Sequence, residues 1–274
     1  MGRGRPWRRV LPQERDESLH LLNQSRAAID KGDYGRALAL LAKSLETDPT
    51  NRQAYRSLAQ LQRNLGLPEA ELETLREWME AMPGDALPHY ELAAAHARQG
   101  QYDEAVASLR QFQEMSQGSG SSYPMAASLY RRLGMHDEEG ATLMAWSAAD
   151  PDAADAYRAL GDYYRRNGDF ASAIAEYQQV LGIQPGNYEA HVNMANAYSR
   201  LGQYPEAVSQ YMSAIELRPG DLGARRQLAD TYRRIGDFPA AIDAYQSIID
   251  IQPGSRQARL ADRQITRIER QWQR

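Results

Sequence analysis

Glycine recurs at Gly32, Gly66, Gly100, Gly134, Gly168, Gly202 and Gly236, one every 34 residues. Proline keeps the same interval at Pro49, Pro83, Pro151, Pro185, Pro219 and Pro253, with a single missing beat where Gln117 stands instead. A chain punctuated this way stacks copies of one small unit, because a unit of this size cannot bury its apolar face alone and each copy covers the face its neighbour leaves open. The period divides residues 18–255 into seven units without insertion or deletion: 18–51, 52–85, 86–119, 120–153, 154–187, 188–221 and 222–255.

Within a unit the residues spell helix, turn, helix. In 154–187, Tyr157, Leu160, Gly161 and Tyr164 fall on one face of a first helix, as spacings of three and four residues require. Gly168 then ends that helix, since glycine alone enters the left-handed region at no steric cost. Ile174, Tyr177, Val180 and Leu181 form the apolar face of a second helix. Pro185 stops it by denying Gln184 the helical conformation and by lacking an N–H donor.

The set Tyr157-x2-Leu160-Gly161-x2-Tyr164, Ala173-x3-Tyr177 and Pro185 resembles the tetratricopeptide repeat at that family's own period. The sixth unit matches with His191, Met194, Ala195, Tyr198, Ala207, Tyr211 and Pro219, and the seventh with Arg225, Leu228, Ala229, Tyr232, Ala241, Tyr245 and Pro253. Earlier units depart at single places: Ser25 replaces the small residue of the first helix, and Glu71 and Glu139 replace the small alanine of the second. The resemblance implies an all-α fold, a right-handed α-solenoid of helix-turn-helix repeats. The implied function is protein–protein interaction.

Both ends depart from the repeat. Residues 1–17 are Arg-rich, contain prolines and precede no apolar run, so they read as a basic, disordered tail. Residues 256–274 carry Ala261, Ile265, Ile268 and Trp272 at spacings of four and three, which predicts an amphipathic capping helix. Inside the array, "SQGSGSS" at 116–122 predicts a loosened junction between a three-unit and a four-unit half. Trp78, Phe112 and Trp146 share one position of the second helix and predict bulkier packing there. His89 and His191 are expected to pack rather than to bind a ligand.

Composition removes most chemistry. There is no cysteine, and the five histidines are scattered without metal-ligand spacing. No phosphate loop, dinucleotide fingerprint or nucleophile elbow appears. The expectation is a non-enzymatic chain with no catalytic residue, metal, cofactor or small-molecule substrate. A mean hydropathy of -0.67 and the lack of a long apolar run give no membrane span. With no signal-peptide core either, the expected place is the cytoplasm. The net charge of -4 and the lack of basic-aromatic alternation argue against nucleic acid.

The helix face opposite the buried one is where a partner would touch. Arg98, Arg132, Arg166, Arg200 and Arg234 hold one position of it, each in a successive unit. Asp162 and Asp230 lie four residues before Arg166 and Arg234 and four after Arg158 and Arg226, so they are expected to pair with them. Arg98, Arg132 and Arg200 have no such acid and are expected to be freer, with Asn196 beside Arg200. The resemblance adds Arg158 and Asn193 at two places of a carboxylate-holding set found in chaperone-binding members. Asp162, Gly223 and Gln227 break that set.

The sequence thus points to a scaffold that binds an acidic or carboxylate-bearing segment of a protein partner. The predicted groove residues are Arg98, Arg132, Arg158, Arg166, Asn193, Asn196, Arg200, Arg226 and Arg234. Two alternatives remain open at this stage. One is a structural scaffold that self-associates into homo-oligomers through its ends or convex side; the other is the repeat portion of a larger enzyme.

Overall fold

A computed structural model describes residues 10–116 and 120–272. Expectations for residues 1–9 and 117–119, including the missing-proline position Gln117, lie outside the described residues. The described chain is all-α and runs as α1 (Pro12–Asp30), α2 (Tyr34–Thr47), α3 (Arg52–Asn64), α4 (Pro68–Ala81), α5 (Leu87–Arg98), α6 (Tyr102–Met115), α7 (Ser122–Leu133), α8 (His136–Ala149), α9 (Ala154–Arg166), α10 (Phe170–Ile183), α11 (Tyr188–Arg200), α12 (Tyr204–Leu217), α13 (Leu222–Ile235), α14 (Phe238–Ile251) and α15 (Arg256–Trp272). Helix α1 begins at Pro12, with proline in its first turn. Residues 12–17 therefore belong to a helix rather than to the expected tail.

Each spaced glycine does the work its position demands. Gly168 has φ +81° and Gly236 φ +90°, and the other five lie in the same left-handed region. The chain reversal lets Asp169 N–H bond to Tyr164 C=O at 3.0 Å and Gly168 N–H to Arg165 C=O at 3.2 Å. Two carbonyls that the helix end would orphan are thereby satisfied. Proline acts one residue earlier in the chain: Gln184, before Pro185, takes φ -131° and ψ 81°, and Arg218, before Pro219, takes φ -134° and ψ 81°. Side-chain oxygens of Asn187, Asp221, Asp169 and Asp237 accept from the backbone N–H three residues on. These caps fix where the helices start.

The chain forms two compact units, one ending at Met135 and the other starting at His136. The division differs from the junction expected at 116–122, because it separates the two helices of residues 120–153. Helix α7 gives its apolar residues Ala126, Leu129 and Tyr130 to a core with Ala93, Ala94, Leu109 and Phe112. Helix α8 packs against α9 instead.

In the first unit Trp78 is fully buried, stacks on Tyr55 at 5.9 Å and donates its indole N–H to Asp85 at 3.1 Å. Phe112 packs against Tyr90 at 5.3 Å. Trp78 and Phe112 each pack on the first-helix aromatic of their own repeat and share a core with residues of the next, Leu92 and Ala95 for Trp78 and Ala126 and Leu129 for Phe112. In the second unit α15 lies on α13 and α14 and joins Ala261 and Ile268 to the core of Ala229, Ala241, Tyr245 and Ile248. The stripe stops short of the expected Trp272, which is 56% exposed and reaches only the edge of Phe238 at 6.5 Å. Arg259, Asp262 and Arg263 face water.

Candidate functional site

Helices pair closely because a small residue on one meets a tyrosine on the other. A Cβ added to Gly161 would lie 2.8 Å from the Tyr177 ring. Such an approach leaves room only for the smallest side chains. The buried tyrosine then runs under the first helix, and its hydroxyl needs a partner at the far side. Tyr177 donates to Asp162 at 2.8 Å, Tyr211 to Asn196 at 2.6 Å and Tyr245 to Asp230 at 2.6 Å. Burial pushes the Tyr211 phenol up to about 12, and burial with the facing aspartate raises Tyr177 and Tyr245 further.

That arrangement reassigns the arginines. Asp162, already held by Tyr177, accepts from Arg165 at 3.2 Å, not from Arg166. Asp230 pairs with Arg233 at 3.6 Å and Arg226 at 3.9 Å, not with Arg234. Each carboxylate thus takes the tyrosine hydroxyl and an arginine three residues on, and Asp162 also lies 4.0 Å from Arg158.

Arg98 and Arg166 are engaged instead by carboxylates of the preceding repeat. Glu71, with only 4% of its side chain exposed, accepts from Arg98 at 2.7 Å and from Arg63 at 2.8 Å. Arg63 also reaches Glu91 at 2.9 Å. Glu139 occupies the equivalent place in α8 and holds Arg166 at 2.5 Å. The two glutamates that break the small-residue pattern are thus locks between neighbouring repeats, each gripping an arginine 27 residues ahead. Where alanine keeps that place, as at Ala105, Ala173 and Ala207, the corresponding Arg132, Arg200 and Arg234 make no hydrogen bond or ion pair among the described residues. The expectation that Arg98 is unoccupied is therefore overturned, and Arg234 takes its place.

Two of these three unpaired arginines share a site in the second unit. Arg200 and Arg234 line a cleft of about 420 Å³ with Arg165, Asn196, Ser199, Gln227, Phe170 and Tyr211. No carboxylate lines it. Asn196 stands where its neighbours carry Asp162 and Asp230, so the cleft keeps its cations uncompensated while Tyr211 keeps its hydrogen bond. The Asn196 oxygen accepts from Tyr211, which leaves its amide N–H groups as further donors.

Tetratricopeptide repeat profiles match residues 22–86 and 192–256, 164–213, and 86–111. The chain is a tetratricopeptide-repeat protein. Its fold is similar to the C-terminal part of a tetratricopeptide-repeat protein from Cytophaga hutchinsonii, with 15% identity, a TM-score of 0.66, and coverage of 88% of this chain and 98% of that one. It is also similar to YrrB, described as a tetratricopeptide protein with an unusual peptide-binding site, with 21% identity, a TM-score of 0.53, and coverage of 70% and 99%. A structure of MamA AMB-1 matches with 22% identity and a TM-score of 0.50 over 62% of this chain and 93% of that one. No curated protein matches the chain in sequence.

The remaining predicted groove residues of this tetratricopeptide protein are dispersed. Arg158 pairs with Asp155 at 2.8 Å and lines a separate cleft with Tyr188, Glu189 and Arg218. Arg226 borders an apolar cleft beside α15 with Leu222, Ile248 and Leu260. Asn193 is half-buried on α11, and Arg132 lies in the first unit. Arg165 and Gln227 were missed as cleft residues, although Arg165 adjoins Arg166 on the predicted outward face and Gln227 stands at a place of the carboxylate-holding set. Among the described residues there is no cluster of His, Cys, Asp or Glu fit to hold a metal ion. No described helix is long and apolar enough to cross a membrane.

Proposed function

We propose that this tetratricopeptide protein is a non-enzymatic interaction scaffold whose second unit takes up an acidic segment of a partner protein in the Arg200–Arg234 cleft. One observation carries the reading: two guanidinium groups without an internal acid converge with neutral donors on a cleft that no carboxylate lines. Unpaired cations facing a concavity attract anionic groups at long range and gain most when water is excluded from the contact. YrrB, a neighbour in fold, is described as having a peptide-binding site, which supports a peptide as the kind of occupant.

Fluorescence anisotropy with a degenerate Asp/Glu-containing peptide pool tests the proposal, a Lys-containing pool serving as control. Binding should favour the acidic pool, weaken as salt rises and drop at least tenfold in Arg200→Glu/Arg234→Glu with helicity unchanged. Equal binding by wild type and this variant would show that the arginines are solvated surface. Binding would then lie elsewhere, and light scattering of the wild-type chain would decide whether its own ends supply the interface.

A further inference from the structure

The cleft's charge inventory identifies its ligand more narrowly. Arg165 is largely answered from within, since its guanidinium bonds to Asp162 at 3.2 Å and to the Tyr177 hydroxyl at 3.3 Å. Arg200 and Arg234 have no such partner, so two positive charges remain without counterions of their own. A single carboxylate would neutralise one of them. A phosphoryl group carries roughly -1.5 to -2 charges at neutral pH and three acceptor oxygens, which matches two guanidinium groups and the neutral donors Asn196, Gln227 and Ser199 beside them. Phe170 supplies apolar surface beside them, while Tyr211 lies buried beneath.

The same structural task, accepting the buried tyrosine hydroxyl, is done by an aspartate at 162 and 230 and by an amide at 196. An aspartate at 196 would hold Tyr211 equally well, yet it would place a negative charge in the cleft wall. Asn196 thus separates the packing role from the charge, and the cleft alone among these three places is left with an excess of two cations.

We infer that the cleft lined by Arg165, Asn196, Arg200, Gln227 and Arg234 is a phosphoryl-recognition site for a phosphorylated side chain on a partner segment. The inference rests on the acidic-segment reading above and deepens it. Asn196 sets the specificity by keeping the cleft free of negative charge.

The test compares phosphoserine-centred, aspartate-centred, double-aspartate and unmodified serine peptide pools by anisotropy on the full chain, with inorganic phosphate as competitor. The phosphoserine pool should bind at least tenfold tighter than either aspartate pool. Asn196→Asp should erase that preference while leaving the far-ultraviolet dichroism and the urea midpoint close to wild type. Phosphate alone should compete only at concentrations far above those of the peptide. Equal affinity for phosphoserine and aspartate pools, both lost in Arg200→Glu/Arg234→Glu, would overturn the phosphoryl assignment and leave the acidic-segment reading standing. Loss of arginine dependence for every pool would remove both. Phosphate binding as tight as the peptide, or Asn196→Asp binding phosphoserine like wild type, would overturn the assignment as well.

Discussion

The Glu71 lock offers the sharpest test of how neighbouring repeats are held. Its carboxylate is 4% exposed and takes two guanidinium groups, at 2.7 and 2.8 Å, whose side chains are 30% and 24% exposed. The exposure is therefore asymmetric: the anion is buried, while the cations can turn to water. Arg63→Met with Arg98→Met would keep the aliphatic stems and strand a carboxylate in the interior. Stranding a buried charge typically costs about 3–5 kcal/mol. Glu71→Ala removes the buried charge itself and installs the residue found at Ala37, Ala105, Ala173, Ala207 and Ala241, all fully buried. Its cost should be about 1 kcal/mol, because the released arginines recover much of their hydration.

The triple variant should recover most of the way toward Glu71→Ala, the remaining gap coming from Glu91, which loses Arg63 at 2.9 Å and keeps only Arg56 at 3.8 Å. Arg63 should matter more than Arg98 in single variants. Burial alone would lower the Arg63 guanidinium, but hydrogen bonds to Glu91 and Glu71 more than offset it; burial and the like charge of Arg63 instead push Arg98 down. Urea unfolding followed by circular dichroism gives the order of stabilities. Repeat arrays can unfold in parts, so hydrogen exchange of amides in α3 to α5 localises the loss. Glu71→Ala as costly as the arginine pair, or no recovery in the triple variant, would refute the buried-anion argument.

Tyr245→Phe removes the hydroxyl bonded to Asp230 and should cost about 1 kcal/mol in thermal or urea unfolding, with helicity retained. Tyr211, raised by burial from 10.0 to about 12, keeps its proton in the folded chain when the unfolded chain begins to lose it. Stability should be flat through neutral pH on this account and fall as pH climbs from about 10 toward 12, with tyrosinate absorbance rising together with unfolding. Deleting residues 256–274 uncovers Tyr245 and Ile248 from beneath Ala261 and Ile268; light scattering should show concentration-dependent association, and an equally monomeric, equally heat-stable product would contradict the capping role.

The sequence by itself determined the repeat and the helix ends and turns inside it, though not the start of α1 at Pro12, because each is written in residues that act on their immediate neighbours. Gly168 ends α9 and Pro185 ends α10 through backbone preferences that need no distant partner. The apolar faces were legible for the same reason, as Leu160, Ile174 and Tyr177 recur at helical spacing. Only the tertiary structure decided which arginines are available. Local spacing pairs Arg166 with Asp162, whereas Asp162 takes the Tyr177 hydroxyl and Arg165, and Glu139 reaches Arg166 from the preceding repeat. Arg98 looked unengaged because its acid, Glu71, lies 27 residues earlier in sequence and beside it in space. Asn196 read as one polar residue among several until its hydrogen bond to Tyr211 fixed its place in the cleft wall. Charges interact through distance, not sequence order, and in this array the countercharges of Arg98 and Arg166 belong to the preceding repeat rather than to their own helix.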